Sequence, residues 1–269
     1  GRGTDHADNW KRFAVLSLAA AEIAAGALPG WRPDLVHTHD WQTALTSVYM
    51  RTMDCAVPVV LTIHNLAFQG QFSADLLGAI GLPPSVYGVD CMEYYGDISY
   101  LKGGLMTADH ITVVSPTYAR EILTPTFGMG LHGVMRKRID RLQGIVNGID
   151  QDVWNPAADP YLAVPYDAKT LRNKKKNTPA LLERFGLTPG NGPLFSAVSR
   201  MTWQKGMDML AEVADEIFHA DGRLIVLGQG DHEIEASLQR TAERYPGRMA
   251  VSVGYDEERA HLIHGGSDA

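Results

Sequence analysis

Three stretches of the sequence set chemically capable side chains at telling intervals. In "LVHTHDWQT", residues 35–43, His37 and His39 stand two apart and Asp40 follows directly. If this is a strand, the two imidazoles share a face, which is the first requirement of a metal site. The HxHxDH arrangement of binuclear hydrolases also needs a further aspartate and histidine, where this chain has Gln42 and Thr43. Two other readings stand beside metal: Asp40 caps a helix that starts near Trp41, or it positions a polar substrate in a cleft. The second stretch, "TIHNLAFQG" at residues 62–70, presents His64 and Asn65. Both can bind hydroxyl groups or donate to a developing negative charge, or they simply start a turn. The third, "VSRMTWQKG" at residues 198–206, places Arg200 behind an apolar run, Lys205 five residues on, and Gly206 at a helix start. A guanidinium, an ammonium and helix N-terminal amides converging there would suit a diphosphate and stabilise it as a leaving group. The alternative is two solvated charges in a loop.

Weaker signals accompany these. "VLGQGDHE", residues 226–233, misses the GxGxxG pattern because Glu233 stands where its last glycine belongs, so it is poor evidence for a dinucleotide. Gly228 and Gly230 fit a tight strand-to-helix turn with Asp231 at the helix N-terminus. Asn147-Gly148 reads as a turn that could also face a cleft.

Such residues must be held by elements, and the pattern of β-branched runs predicts them. "DLVHTH", "PVVLTIH" and "HITVVS" read as strands, with helices from Trp10 to about Leu28, from about Gln42 to Thr52 and from Tyr118. The first helix is expected to open with Asn9 as its cap and to bury Phe13, Leu16, Ala20 and Ile23. Proline density in "VWNPAADPYLAVPYD" suggests a crossing over residues 147–166. Beyond it "PLFSAVS", "GRLIVLG" and "MAVSVG" alternate with helices at Met207–Ala220, Glu233–Tyr245 and Glu257–His264. In the first of these Met207, Leu210, Val213, Ala214 and Ile217 keep helical spacing. Strands alternating with helices imply parallel sheets, hence an α/β fold of two Rossmann-like units, residues 1–146 and 147–269. In such sheets ligands bind beyond the carboxyl ends of the strands, where the three stretches fall.

Composition narrows the classes. The chain has 269 residues, 45% hydrophobic and 20% charged, with a formal net charge of −7. Its longest like-charge run is Lys174-Lys175-Lys176, which gives nucleic acid no continuous basic face. Cys55 and Cys91 are the two cysteines, neither in a zinc or CxxC spacing, which fits a reducing cytoplasm. The apolar stretch from Phe13 to Leu28 contains Glu22 and is too short to cross a membrane.

In order and spacing, "HTHDW", "TIHNLAFQG", "LKGGLMTADHITVVSPTYAREI", "GIVNGIDQDVWNP", "VSRMTWQKGMD" and "LGQGD" resemble the bacterial glycogen synthase and plant starch synthase family, from about Asp8 to the last residue. The resemblance implies a GT-B fold, with residues 1–146 from the acceptor-side domain and 147–269 from the donor domain. It implies transfer of glucose from ADP-glucose to the non-reducing end of an α-1,4-glucan with retention, without a metal or other cofactor. It makes Arg200 and Lys205 the diphosphate pair and His64 a catalytic partner near the transferred glucose. Asp40, Asn65 and Asn147 would contact the sugar, Gly228 the donor, and Tyr255 the adenine. It further implies that the family's KxGGL loop lies upstream of Gly1 and its ExCGL segment beyond Ala269. On that reading the chain is an internal fragment, inactive and poorly stable alone. "KGGL" at Lys102–Leu105 lacks the intervening residue and is not given the loop's role. A UDP-sugar transferase of the same fold, a non-catalytic nucleotide- or glucan-binding module, and a zinc hydrolase built on His37, His39 and His64 are the rival readings.

Overall fold

The computed structural model describes residues 6–269. Its β-branched runs form the strands of two compact α/β units, the first reaching Gly148 and the second starting at Ile149. The first contains, in chain order, α1 (Asn9–Ala25), β1 (Val36–His39), α2 (Asp40–Thr52), β2 (Val59–Ile63), β3 (Gln71–Phe72), β4 (Glu93–Tyr94), β5 (Asp97–Ser99), α3 (Tyr100–Thr107), β6 (His110–Val113), α4 (Pro116–Glu121), α5 (His132–Lys137) and β7 (Leu142–Gly144). β1, β2, β6 and β7 lie side by side in that order, each pair parallel. The residues between β2 and α3 add a small antiparallel sheet, β3-β5-β4, that periodicity did not forecast. Its strands are two or three residues long, too short to alternate visibly.

β2 buries Val59, Leu61 and Ile63 at every second position, and these join Leu45 and Leu101 from helices α2 and α3 in one core. α2 and α3 pack tightly because Gly103 and Gly104 have no side chain: a Cβ on Gly104 would stand 2.7 Å from the Ala44 Cβ and 2.9 Å from its carbonyl oxygen. Lys102, 5% exposed, donates to the Glu93 carbonyl. "KGGL" is thus helix-packing sequence, buried inside α3.

α1 departs from expectation in its face. Ala14, Ser17, Ala21 and Ala24 are buried, whereas Leu16 is half exposed. Small residues let α1 approach α2 closely, and Ser17 Oγ donates to the Gln42 carbonyl. The larger Phe13 sits at the margin of this contact, edge-on to Trp41. Asn9 is the first helical residue, after Asp8, and the helix closes at Gly26, whose φ of 107° lets its amide and that of Ala27 reach back to Ile23 and Glu22.

The second unit contains α6 (Thr178–Arg184), β8 (Leu194–Val198), α7 (Met207–His219), β9 (Arg223–Gly228), α8 (His232–Arg244), β10 (Met249–Val253) and α9 (Glu257–Gly266). Its sheet is parallel, with β9 between β10 and β8. β9 is covered on both faces: Leu224 and Val226 pack with Ala214, Phe218 and Leu238, while Ile225 and Leu227 pack with Leu181, Ala260 and Ile263. In α7 the buried residues are Met207, Ala214 and Phe218; Val213 stays 40% exposed, so the buried stripe turns away from it toward Phe218. The proline-rich segment after Ile149 is packed, not free. Trp154 stacks on His261 of α9 at 3.9 Å between ring centroids, and His261 Nδ1 lies 2.6 Å from Asp159 Oδ2, both side chains nearly fully buried.

Candidate functional site

Polar side chains gather at the carboxyl edge of each sheet. In the first unit β1 ends at His39 and β2 at Ile63, so His64 and Asn65 emerge beside His39 and Asp40. His39 Nδ1 is 3.2 Å from His64 Nε2, and His37 Nε2 is 2.6 Å from Thr62 Oγ1, which in turn meets Thr112 Oγ1 at 2.5 Å. Burial, with the neighbouring His37 and His64, pushes the His39 imidazole below its ordinary pKa. The neutral form is therefore favoured at neutral pH, and one ring can accept a hydrogen bond from the other. Among the described residues no group of three or more His, Cys, Asp or Glu side chains is placed to hold a metal ion.

Asp40 does not cap its own helix. Its Oδ1 accepts the backbone N–H groups of His64, at 2.7 Å, and Asn65, at 3.4 Å. Its φ of 52° is left-handed, a conformation Asp tolerates better than most residues. The helix start is closed instead by Thr43, whose hydroxyl accepts from the His39 amide at 2.6 Å and lies 2.8 Å from the His39 carbonyl. Asp40 thus ties the ends of β1 and β2 together and fixes where the His64 ring stands. Asn65 turns the chain: its side-chain oxygen accepts from Ala67 N–H at 3.0 Å, leaving the amide NH2 for other partners. The loop is held further by Tyr118, whose hydroxyl accepts from Leu66 N–H at 2.9 Å. Thr62, Thr112 and Tyr118 were not singled out from sequence; the parallel register of Thr62 against Thr112 would have paired the first two.

In the second unit Arg200, Gly228 and Tyr255 line one cavity of about 270 Å³ at the carboxyl ends of β8, β9 and β10, with Ser199, Gln229 and Asp256. Tyr255 is 80% exposed and its hydroxyl donates to Glu257 Oε2 at 3.1 Å. Lys205 lies outside this lining, in the 3-10 turn Trp203–Lys205 that leads into α7. Neither Arg200 nor Lys205 has a salt bridge or side-chain hydrogen bond among the described residues. The N-cap of α7 is Gly206, φ 67°, which offers no side chain to the first-turn amides. Lys205, an unpaired cation directly before an uncapped helix start, is an arrangement that favours a negative ligand, and the unpaired Arg200 brings a second cation to the neighbouring cavity.

Gly228 and Gly230 are required by a close approach more than by a turn. A Cβ on Gly228 would collide with the Ser199 carbonyl, and one on Gly230 with that of Met201. That contact, with the Met201–Gly230 bridge, holds the Arg200 loop against the end of β9. Asp231 caps α8 as expected, accepting from Glu233 N–H at 2.8 Å. Asn147 is exposed near the end of the first unit.

The family model for the starch synthase catalytic domain matches residues 1–137. Among curated proteins, the glycogen synthase of Rhizobium leguminosarum bv. trifolii (strain WSM2304) is 57% identical over 268 residues, covering 99% of this chain and 56% of that protein. Glycogen synthase 2 of Agrobacterium fabrum (strain C58 / ATCC 33970) is 55% identical over 267 residues, covering 99% of this chain and 52% of that protein. The chain thus spans about half the length of the curated relatives it matches. The solved catalytic domain of starch synthase IV from Arabidopsis thaliana, bound to ADP and acarbose, is 30% identical with a TM-score of 0.87, over 98% of this chain and 56% of that one. A UDP-forming α,α-trehalose-phosphate synthase from Burkholderia xenovorans, 11% identical with a TM-score of 0.56 over 97% of this chain and 57% of that one, shares the fold alone.

Proposed function

As the chain belongs to the starch synthase catalytic-domain family, of GT-B type, we propose that its protein is a retaining glucosyltransferase that moves glucose from ADP-glucose to the non-reducing end of an α-1,4-glucan. The observation that carries the reading is the unpartnered Arg200 in the cavity it shares with Gly228 and Tyr255 at the carboxyl edge of the second sheet, with the unpartnered Lys205 in the turn that leads into α7. Support comes from the ADP and acarbose bound by the Arabidopsis starch synthase.

On this reading residues 147–269 are the donor side and 1–146 the acceptor side. Arg200 grips the diphosphate through its planar fork and Lys205 adds a point charge. As the bond from the glucose anomeric carbon to the phosphate oxygen breaks, its electron pair passes to the diphosphate, and the two cations stabilise that charge. The acceptor's 4-hydroxyl oxygen forms the new bond to the same carbon, and its proton goes to the departing phosphate oxygen. His64, oriented by the Asp40 bond to its amide, meets the sugar with Asn65 and Asn147, and the exposed Tyr255 ring covers the adenine. The cationic side chains take the place a divalent metal would fill, so the reading carries no metal or cofactor, and it sets the enzyme in the cytoplasm.

Calorimetric titration of the chain with ADP and then UDP tests the donor assignment. Saturable ADP binding that exceeds UDP binding and is lost in Arg200→Ala supports the reading. Equal or preferential UDP binding sinks the ADP-glucose assignment, and ADP binding untouched by Arg200→Ala removes Arg200 from the diphosphate site.

A further inference from the structure

The opposite, amino-terminal edge of the first sheet carries a second concentration of positive charge, unrelated to the proposed transfer. Arg51 at the end of α2, Thr107 at the end of α3, Ala108 and Asp109 before β6, and Arg138 and Arg141 behind α5 line one cavity of about 330 Å³. Three guanidiniums face a single carboxylate there, an excess of two positive charges.

That carboxylate is fully engaged. Asp109 Oδ1 pairs with Arg51 Nη2 at 2.7 Å, and Oδ2 accepts from Val59 N–H at 2.8 Å. Helix capping accounts for part of the cluster, since Arg51 donates to the Thr107 carbonyl at 3.2 Å and Arg138 Nη2 to the Ala108 carbonyl. It does not account for the rest. Arg138 Nε is buried without a hydrogen-bond partner, and Arg141 makes neither a salt bridge nor a side-chain hydrogen bond among the described residues. Burial, and then the nearby Arg141, lowers the Arg138 pKa, while Asp109 offsets part of the effect. An anion in the cavity would offset the like charges of Arg51, Arg138 and Arg141 and supply acceptors for the Arg141 guanidinium, which has none among the described residues.

We infer that this cavity is a binding site for a phosphate group, either free phosphate or the phosphate of a small monoester. Converging guanidiniums match tetrahedral phosphate oxygens in bidentate fashion. The volume exceeds one phosphate and falls at the small end of ligand pockets, which leaves room for a compact ester. A polyanion fits poorly, because the charge is confined to one hollow on a chain of net charge −7.

The test is a titration of the isotopically labelled chain with inorganic phosphate, and separately with a sugar monophosphate, followed through the arginine Nε–Hε resonances. These resolve Arg138 and Arg141 from Arg200, so phosphate held at the proposed donor site registers separately. Saturable shifts of the Arg138 and Arg141 signals are expected, at concentrations where matched chloride gives none. Arg141→Ala, at an exposed position with no partner to lose, should weaken the Arg138 response at least about tenfold, and Arg141→Lys should restore part of it. Tighter saturation by the ester identifies a monoester site, and equal or tighter saturation by inorganic phosphate identifies a phosphate site. Arg138 and Arg141 signals that shift with neither, or that shift equally with chloride, overturn the inference.

Discussion

Asp40 is the residue at which the geometry makes the sharpest quantitative demand. Its carboxylate accepts two amides from the end of the neighbouring strand, and its backbone sits at φ 52°. Three substitutions separate these roles. Asp40→Ala loses the charge-assisted bond, worth about 1–2 kcal/mol at a half-exposed position, and puts a Cβ without a local acceptor in a left-handed backbone, at about 1 kcal/mol more. Asp40→Gly loses the same bond but tolerates the backbone, so it should be milder by about that 1 kcal/mol. Asp40→Asn keeps a neutral acceptor and a residue tolerant of positive φ, so about 1 kcal/mol is expected. The order of destabilisation is therefore Ala, then Gly, then Asn, read from urea unfolding midpoints at constant slope. Hydrogen exchange at the His64 amide should accelerate in the Ala and Gly variants and little in Asn. An Ala variant as stable as Gly would show that the left-handed backbone carries no strain. An Asn variant as damaged as Ala would show that the bond to His64 N–H is not what Asp40 supplies.

Three further outcomes follow from other parts of the molecule. His39 has a folded pKa below its ordinary value, so acidification through about pH 6.5 lets the unfolded chain take the proton first; stability of the first unit should fall as pH drops through that window, and His39→Gln should flatten the profile measured by urea unfolding. Gly104→Ala should destabilise by about 1–2 kcal/mol, because overpacking against the Ala44 backbone exceeds the ~1 kcal/mol of helix propensity gained; a stabilised variant in thermal unfolding would show that α2 and α3 can separate without cost. Arg223, 5% exposed, bonds the Thr188 and Pro189 carbonyls and Asp221; Arg223→Ala should cost about 2–4 kcal/mol and return the Asp221 carboxyl, held at about 2 first by its hydrogen bond from Arg223, toward the ordinary carboxylate range in an NMR pH titration.

Legibility from sequence followed the length of the elements. β8, β9 and β10 and helices α7 and α8 were delimited to within a residue or two, because each is five or more residues long with apolar positions at a constant interval. The small sheet β3-β5-β4 and the short helix α5 escaped, since segments of two to six residues show no period. The face of α1 was misjudged for a different reason. Hydrophobicity ranks Leu16 above Ala14 and Ser17, but close helix approach selects small residues, and Leu16 is left half exposed. At the sites, residue types pointed to Arg200, His64 and Asp40, and the family resemblance alone to Tyr255, whereas their partners did not show. Nothing in "HTHDW" says that Asp40 reaches across to His64 N–H instead of capping its own helix, because that bond joins positions twenty-four apart.

Strain supplies an argument for the site that does not pass through relatives, provided it is read with its surroundings. Five described non-glycine residues have positive φ: Asp40, Asp54, Tyr95, Met129 and Asp221. Asp54 follows the end of α2, Asp221 lies just before β9, and Tyr95 turns between β4 and β5, so three of them reverse or redirect the chain. Asp40 stands at a strand-to-helix junction and spends its carboxylate on the backbone of the adjacent strand end, beside two imidazoles in contact. A residue held in an unfavourable backbone by bonds to the next strand fixes a geometry, and what it fixes is the position of His64. The same logic holds at Gly228 and Gly230, where the absence of side chains lets the Arg200 loop lie against β9. In each unit the departures from local preference that bear on the candidate residues lie at the carboxyl edge of the sheet, and each sets the position of a residue we propose to meet substrate.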